Sequence, residues 1–146
     1  MTEDQFKKIL IATDGSDNSK NAVNSGIEIA KINNADVYAV YVIPPVSAPA
    51  AQRGRSWAES IRQDLTEDGK KATKDVEDAA KETGVNVETI LLEGNPSEEI
   101  INFAEKNDMD LIVLGSLGKS GIEKFLIGSV AEKVVMNANK QVLIVP

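Results

Sequence analysis

The run Asp110-Leu111-Ile112-Val113-Leu114 limits what this chain can fold into more than any other feature. Its four consecutive aliphatic residues leave no polar face. A strand built from them has to be buried on both sides, as in a parallel sheet covered by helices. Similar runs recur along the chain. Phe6 to Thr13 carries Ile9-Leu10-Ile11, and Asp36 to Ile43 reads DVYAVYVI before Pro44-Pro45 stops it. Val85 to Leu92 is apolar at Val85, Val87 and Leu91, and Gln141 to Val145 forms the last run. Longer segments of helical period separate them. Ala22, Val23, Ile27 and Ala30 share one face behind a cap at Ser16 or Asp17. Trp57, Ile61, Leu65, Ala72, Val76 and Ala80 mark a long amphipathic helix closed by Gly84. Asn95-Pro96-Ser97-Glu98 supplies a cap, a first-turn proline and a capping box, and a last helix follows Gly128 through Met136. Five strands alternating with four helices, with no repeat, linker or composition break, predict one α/β domain over residues 1–146. Its sheet should be open, five-stranded and parallel, with helices on both faces.

Charge and residue usage remove several function classes. With 23 acidic against 16 basic residues the net charge is −7, and no dense basic patch offsets it. A nucleic-acid backbone is therefore not an expected partner. The chain has no cysteine and no histidine, which excludes thiol chemistry and removes the commonest general base and transition-metal ligand. No segment approaches the ~20 apolar residues needed to cross a bilayer. Met1 to Gln5 is polar and acidic, so no membrane partner and a cytoplasmic location are expected.

The informative segment joins the fourth strand to the fourth helix: Gly115-Ser116-Leu117-Gly118-Lys119-Ser120-Gly121, then Gly128-Ser129. In open α/β sheets ligands sit beyond the carboxyl ends of the strands, where the strand order reverses. Glycines there let backbone N–H groups approach a phosphate, and Gly128-Ser129 adds the positive end of a helix. Two familiar phosphate motifs fail. Gly118-Lys119-Ser120 mimics the end of a P-loop, but the upstream glycine position is Val113; the Rossmann spacing is met neither here nor after the first strand. The plainer alternative is that the glycines only make tight turns, with Ser129 and Glu132 forming a capping box. Lys119, inside the loop, is a candidate phosphate contact. Asp14 has its own plain reading as an Asx turn. Pro44 to Ser56 reads as a long mobile loop whose Arg53 and Arg55 are either solvated or a lid over phosphates. Trp57 is expected to anchor the core or an interface.

The spacing Gly115-x2-Gly118-x9-Gly128-Ser129 resembles the nucleotide-binding signature of ATP-binding universal stress proteins. The words Ile9-Leu10-Ile11-Ala12-Thr13-Asp14-Gly15-Ser16, Gly128-Ser129-Val130-Ala131-Glu132-Lys133-Val134 and Val142-Leu143-Ile144-Val145 are similar to that family too, so the resemblance spans essentially the whole chain. It implies a Rossmann-like sheet of order 3-2-1-4-5, of the adenine nucleotide alpha hydrolase type, holding ATP with Mg or Mn on the phosphates. By the same resemblance Gly115, Gly118, Gly128 and Ser129 hold the phosphates, with Val130 contributing backbone. Ala12, Thr13 and Asp14 sit at the adenosine end, Val42 meets the adenine through its backbone, and Leu114 flanks it. Two departures stand out: Leu117 occupies a position where many relatives carry histidine, and Asn139-Lys140-Gln141 replaces a cysteine-proline step.

The expectation is thus a stress-response or regulatory module that binds ATP and has no catalytic residue. A slow ATPase and a nucleotide-independent dimeric scaffold are the alternatives. A phosphoacceptor receiver domain fails, because strand three ends at Glu93-Gly94 rather than at an acceptor aspartate. In the implied order Gln141 to Val145 is an edge strand, and its uninterrupted apolar run predicts a homodimer through it.

Overall fold

The computed structural model describes residues 6–46, 49, 52–117 and 127–146. Among these, five strands and four helices alternate: β1 (Lys8–Ala12), α1 (Asp17–Asn33), β2 (Asp36–Ile43), α2 (Arg55–Ala80), β3 (Val87–Glu93), α3 (Pro96–Lys106), β4 (Leu111–Gly115), α4 (Ser129–Asn137) and β5 (Gln141–Val145). The strands form one sheet in the order β3-β2-β1-β4-β5, every pair parallel. The order reverses between β1 and β4, so the carboxyl ends of these two neighbours flank the switch point.

Alternation along the strands divides the core into two layers. Ile9, Ile11, Val37, Ala39, Leu111 and Val113 face α1 and α2, which contribute Ala22, Val23, Ile27, Ala30, Val76 and Ala80. Leu10, Ala12, Val40, Ile112 and Leu114 face α3 and α4, which contribute Ile100, Ala104, Ala131 and Val134. The β4 run is buried on both faces from Leu111 to Leu114, as its lack of a polar face requires.

Helix starts follow local chemistry. Ser16 caps α1 by accepting from Ser19 N–H, and Asn95 caps α3 by accepting from Glu98 N–H, with Pro96 in the first turn. Several boundaries differ from the sequence reading, β1 spanning Lys8–Ala12 rather than Phe6 to Thr13 and β4 Leu111–Gly115 rather than Asp110 to Leu114. The second helix begins at Arg55, so the expected long loop gives up its last two residues. Its first turn stands clear of the core; Trp57 is 45% exposed, with the Arg53 guanidinium 5.0 Å over its ring. The same helix ends at Ala80, and Gly84 (φ +78) lies in the turn beyond. Strand β3 starts at Val87, because Val85 N–H is still bound to Thr83 Oγ1 at 3.2 Å in that turn.

Candidate functional site

At the end of β1 the chain folds into a turn held by its own side chains. Thr13 N–H stays on the sheet, donating to the Val40 carbonyl at 3.0 Å. Gly15, at φ +80, reverses the chain, and its N–H donates to Thr13 Oγ1 at 3.1 Å. Ser16 N–H donates to Asp14 Oδ1 at 2.9 Å, so the Asx turn weighed for Asp14 is present and fixes the direction of its carboxylate. Ser19 adds a buried hydroxyl behind the turn, 3.1 Å from Thr13 Oγ1.

Beside it, at the end of β4, backbone alone sets the geometry. Ser116 N–H donates to the Val145 carbonyl at 2.9 Å, and Gly128 N–H donates to the Ser116 carbonyl at 2.6 Å. Gly128 is thereby extended (φ −66, ψ 161) and serves as the N-cap of α4, its carbonyl accepting from Glu132 N–H at 3.0 Å. This corrects the expected capping box. Ser129 is the first helical residue, not the cap, and the cap has no side-chain hydrogen bond. The N–H groups of Ser129, Val130 and Ala131 are the first-turn donors that an α-helix leaves without an intrahelical partner. Gly118 and Lys119 lie outside the described residues.

Gly115 ties the two turns together. A Cβ built on it would lie 3.2 Å from the Asn18 carbonyl oxygen in the first turn of α1. Any Cβ here would press on that helix backbone by a few tenths of an ångström, so glycine eases the close approach of β4 to α1, a role distinct from cradling phosphate.

Between the turns lies an apolar floor. Ala12 and Leu114, both buried, and Val42 and Val130, both half-buried, belong to the core layer beneath α3 and α4. Four of the residues singled out in the sequence, from β1, β2, β4 and α4, thus meet on one face. Leu92 of β3 lies beside Val42 in register and in the same layer; sequence reasoning missed it, since only the β2–β3 register reveals it. The Val42 backbone also has a defined direction. Val40 accepts from Thr13, so its polar edge faces β1, whereas Ile43 accepts from Gly94 N–H on the β3 side. With the two-residue alternation of a strand, Val42 N–H and C=O face the same way as those of Val40. The paired register of β1 ends at Ala12, opposite Val40, so the Val42 edge points into the space the chain vacates at Asp14.

Other features lie away from this floor. A half-open groove of about 370 Å³ runs between α1 and α2 and is closed at one end by the β1 turn (Thr13, Gly15, Ser16 and Ser19), with Val23, Ala72 and Val76 among its walls and Lys20 and Asp75 on its rims. Those two charges are engaged on their own helices, with Asp17 (3.2 Å) and Lys71 (3.9 Å). Arg53 stacks on Trp57 and Arg55 opens α2. Arg62 of α2 grips Glu93 at the end of β3, Nε to Oε1 2.9 Å, a contact that raises the guanidinium pKa above its ordinary value. Among the described residues no group of three or more acidic, histidine or cysteine side chains could hold a metal, and no helix is long and apolar enough to cross a membrane.

Residues 5–146 match the model of the Universal stress protein family. Universal stress protein MJ0531 of Methanocaldococcus jannaschii is 49% identical over 98% of this chain and 84% of its own length. The solved structure of MJ0577, from the same organism, superposes with a TM-score of 0.83 at 30% identity, covering 97% of this chain and 96% of the other. A universal stress protein solved in complex with cAMP superposes with a TM-score of 0.67 at 28% identity, covering 96% of each chain.

Proposed function

The chain belongs to the universal stress protein family, and on that premise we propose that it is a cytoplasmic, single-domain stress-response module that binds ATP across the carboxyl ends of β1, β2 and β4. The observation that carries this reading is the outward-facing Val42 backbone edge above an aliphatic floor. Adenine presents a donor (its N6 amino group) beside an acceptor (N1), which matches one strand C=O and N–H side by side. The floor of Ala12, Val42, Leu92 and Leu114 suits a flat apolar ring and offers no charge to a base. Asp14, held by Ser16, lies at the adenosine end. The phosphates run toward the first turn of α4, where the Ser129 and Val130 N–H groups and the helix dipole favour an anion. Gly115, Gly118 and Lys119 complete that end. The cAMP complex of a relative with the same fold supports an adenine nucleotide as the ligand class.

A divalent ion, Mg or Mn, enters on the phosphates and screens their charge in a chain of net charge −7. Occupancy rather than turnover is the output, because no histidine is present to act as base and the P-loop spacing fails at Val113. Titration calorimetry with Mg-ATP, together with mass analysis of nucleotide released on denaturation, tests the reading. Saturable binding supports it; no heat and no released adenine nucleotide would overturn it.

The same module acts as a homodimer through β5. Val142, Leu143, Ile144 and Val145 are all only half-buried on this edge strand. The preceding helix exposes Val135 (47%) and Met136 (75%). Pairing with a second β5 would cover the edge in a closed two-fold contact. Light scattering should report twice the 15.7 kDa chain mass, and Val142→Glu or Ile144→Glu should shift it toward monomer or aggregate. A clean monomer of the unaltered chain at micromolar concentration defeats the dimer.

A further inference from the structure

Ser19 lies behind the Asp14 turn and is 5% exposed, and Thr13 beside it is 8% exposed. Its hydroxyl stands in a directed chain of hydrogen bonds. Ser19 Oγ donates to the Ser16 carbonyl at 2.8 Å. A hydroxyl has one proton, so the 3.1 Å contact between Thr13 Oγ1 and Ser19 Oγ must run from Thr13 to Ser19. Thr13 Oγ1 in turn accepts the Gly15 N–H. The order is therefore Gly15 N–H to Thr13, Thr13 to Ser19, and Ser19 to the Ser16 carbonyl, each link polarising the next in a buried setting. Ser19 holds Ser16 a second time, its N–H donating to Ser16 Oγ at 3.3 Å. Ser16 N–H is the group that fixes the Asp14 carboxylate.

We propose that Ser19 is a positioning residue for nucleotide binding: its buried hydroxyl holds Ser16, and through Ser16 the Asp14 carboxylate, without touching the nucleotide. This rests on the adenine-nucleotide reading above. Two flexible features make the device necessary. Gly15 sits at φ +80, where its own backbone imposes little, and Asp14 has left the strand ladder. Removing the Ser19 oxygen leaves the Thr13 proton without its acceptor and the Ser16 carbonyl with only the longer bond from Ser19 N–H at 3.2 Å. The turn then loses the Thr13–Ser19 link and the shorter of the two bonds on the Ser16 carbonyl, so that Ser16, whose N–H fixes the Asp14 carboxylate, is held less firmly.

The test is a pair of Mg-ATP titrations in two backgrounds, with a structural readout that needs no nucleotide. Ser19→Ala should weaken Mg-ATP binding about five- to tenfold, the scale of one lost buried hydrogen bond. In an Asp14→Ala background the same change should move affinity by less than about twofold, because the contact it orients is already gone. Ser19→Thr, whose oxygen can still reach a carbonyl one turn back, should recover most of the affinity. Amide exchange at Gly15 and Ser16 in nucleotide-free Ser19→Ala should quicken. Should Ser19→Ala not fold, Ser19→Cys, a weak donor of similar size, carries the same comparison. Equal affinity of Ser19→Ala and the unaltered protein overturns the proposal. So does an equal loss in both backgrounds, which is the mark of a merely structural residue, or unchanged exchange at Gly15 and Ser16. If the unaltered protein binds no ATP, the nucleotide reading fails by itself, and the exchange measurement decides whether Ser19 holds the turn.

Discussion

The turn after β1 and the segment after β4 leave neighbouring strands at the same end of the sheet, yet they are built in opposite ways. The β1 turn takes only four residues, Thr13 to Ser16, and closes through side-chain oxygens: Thr13 Oγ1, Asp14 Oδ1, Ser16 Oγ and Ser19 Oγ all have partners within it or in the first turn of α1. The β4 segment runs from Ser116 to Gly128, and its ends are joined by a backbone bond between those two residues. Its helix has no side-chain cap. A turn that spends its side chains on itself arrives preorganised. A helix start without a side-chain cap keeps its N–H groups for an anion. The division suits a nucleotide: a fixed end for the nucleoside, and an open set of donors for the phosphates.

Breaking the phosphate end should have the largest effect. The angles of Gly128 (φ −66, ψ 161) are open to any residue, so Gly128→Val should fold. Its branched side chain, however, stands at the N-cap, where a phosphate has to approach the Ser129 and Val130 N–H groups. Losing two backbone bonds to a charged ligand, at roughly 1.5–3 kcal/mol each, predicts at least a ~100-fold rise in the Mg-ATP Kd. Calorimetry showing unchanged affinity would remove the phosphates from this loop and leave the two turns without a shared ligand.

Gly115→Ala attacks the contact between the turns. Its methyl would lie 3.2 Å from the Asn18 carbonyl and 3.4 Å from that of Leu117, both backbone atoms that yield little. Overpacking of this kind typically costs about 1–3 kcal/mol, to be read from denaturant unfolding, and ATP affinity should fall along with stability. A variant as stable as the unaltered protein, with only binding lost, would remove the packing role on α1 and leave Gly115 the phosphate role alone.

Legibility in the sequence follows how local each determinant is. The alternation of apolar runs and helical faces gave strands β2 and β5 with the bounds they have, because burial pattern and flanking proline, glycine or polar residues are properties of adjacent positions. Trp57 continues the helical period of α2 but lies beyond the core, so of its two expected roles, core or interface anchor, the core one does not hold. Ser129 carries the capping-box signature with Glu132, yet the bond from Gly128 to Ser116, twelve residues away, makes Gly128 extended and starts the helix one residue earlier than the signature implies. The direction of the Val42 backbone depends on where β1 stops pairing, and the Thr13–Ser19 link joins a strand end to a helix interior. Neither leaves a pattern in neighbouring residues.

The smallest predicted effect is also the sharpest test of the contrast, because it compares two serines that open two helices. Ser16 is a true cap: its oxygen accepts Ser19 N–H, and its residue anchors the Asp14 turn. Ser16→Ala should cost about 1 kcal/mol of stability, the usual value for losing a serine N-cap. Ser129 is exposed and one position inside its helix, and the cap ahead of it makes no side-chain bond. Ser129→Ala should therefore stay within about 0.5 kcal/mol of the unaltered protein. Any larger consequence should appear only when Mg-ATP is present, as a reduced gain in unfolding midpoint on adding ligand. Paired denaturation curves with and without Mg-ATP measure both quantities at once. If Ser129→Ala costs as much as Ser16→Ala without nucleotide, the hydroxyl is capping α4 after all, and the two turns are closed by the same device.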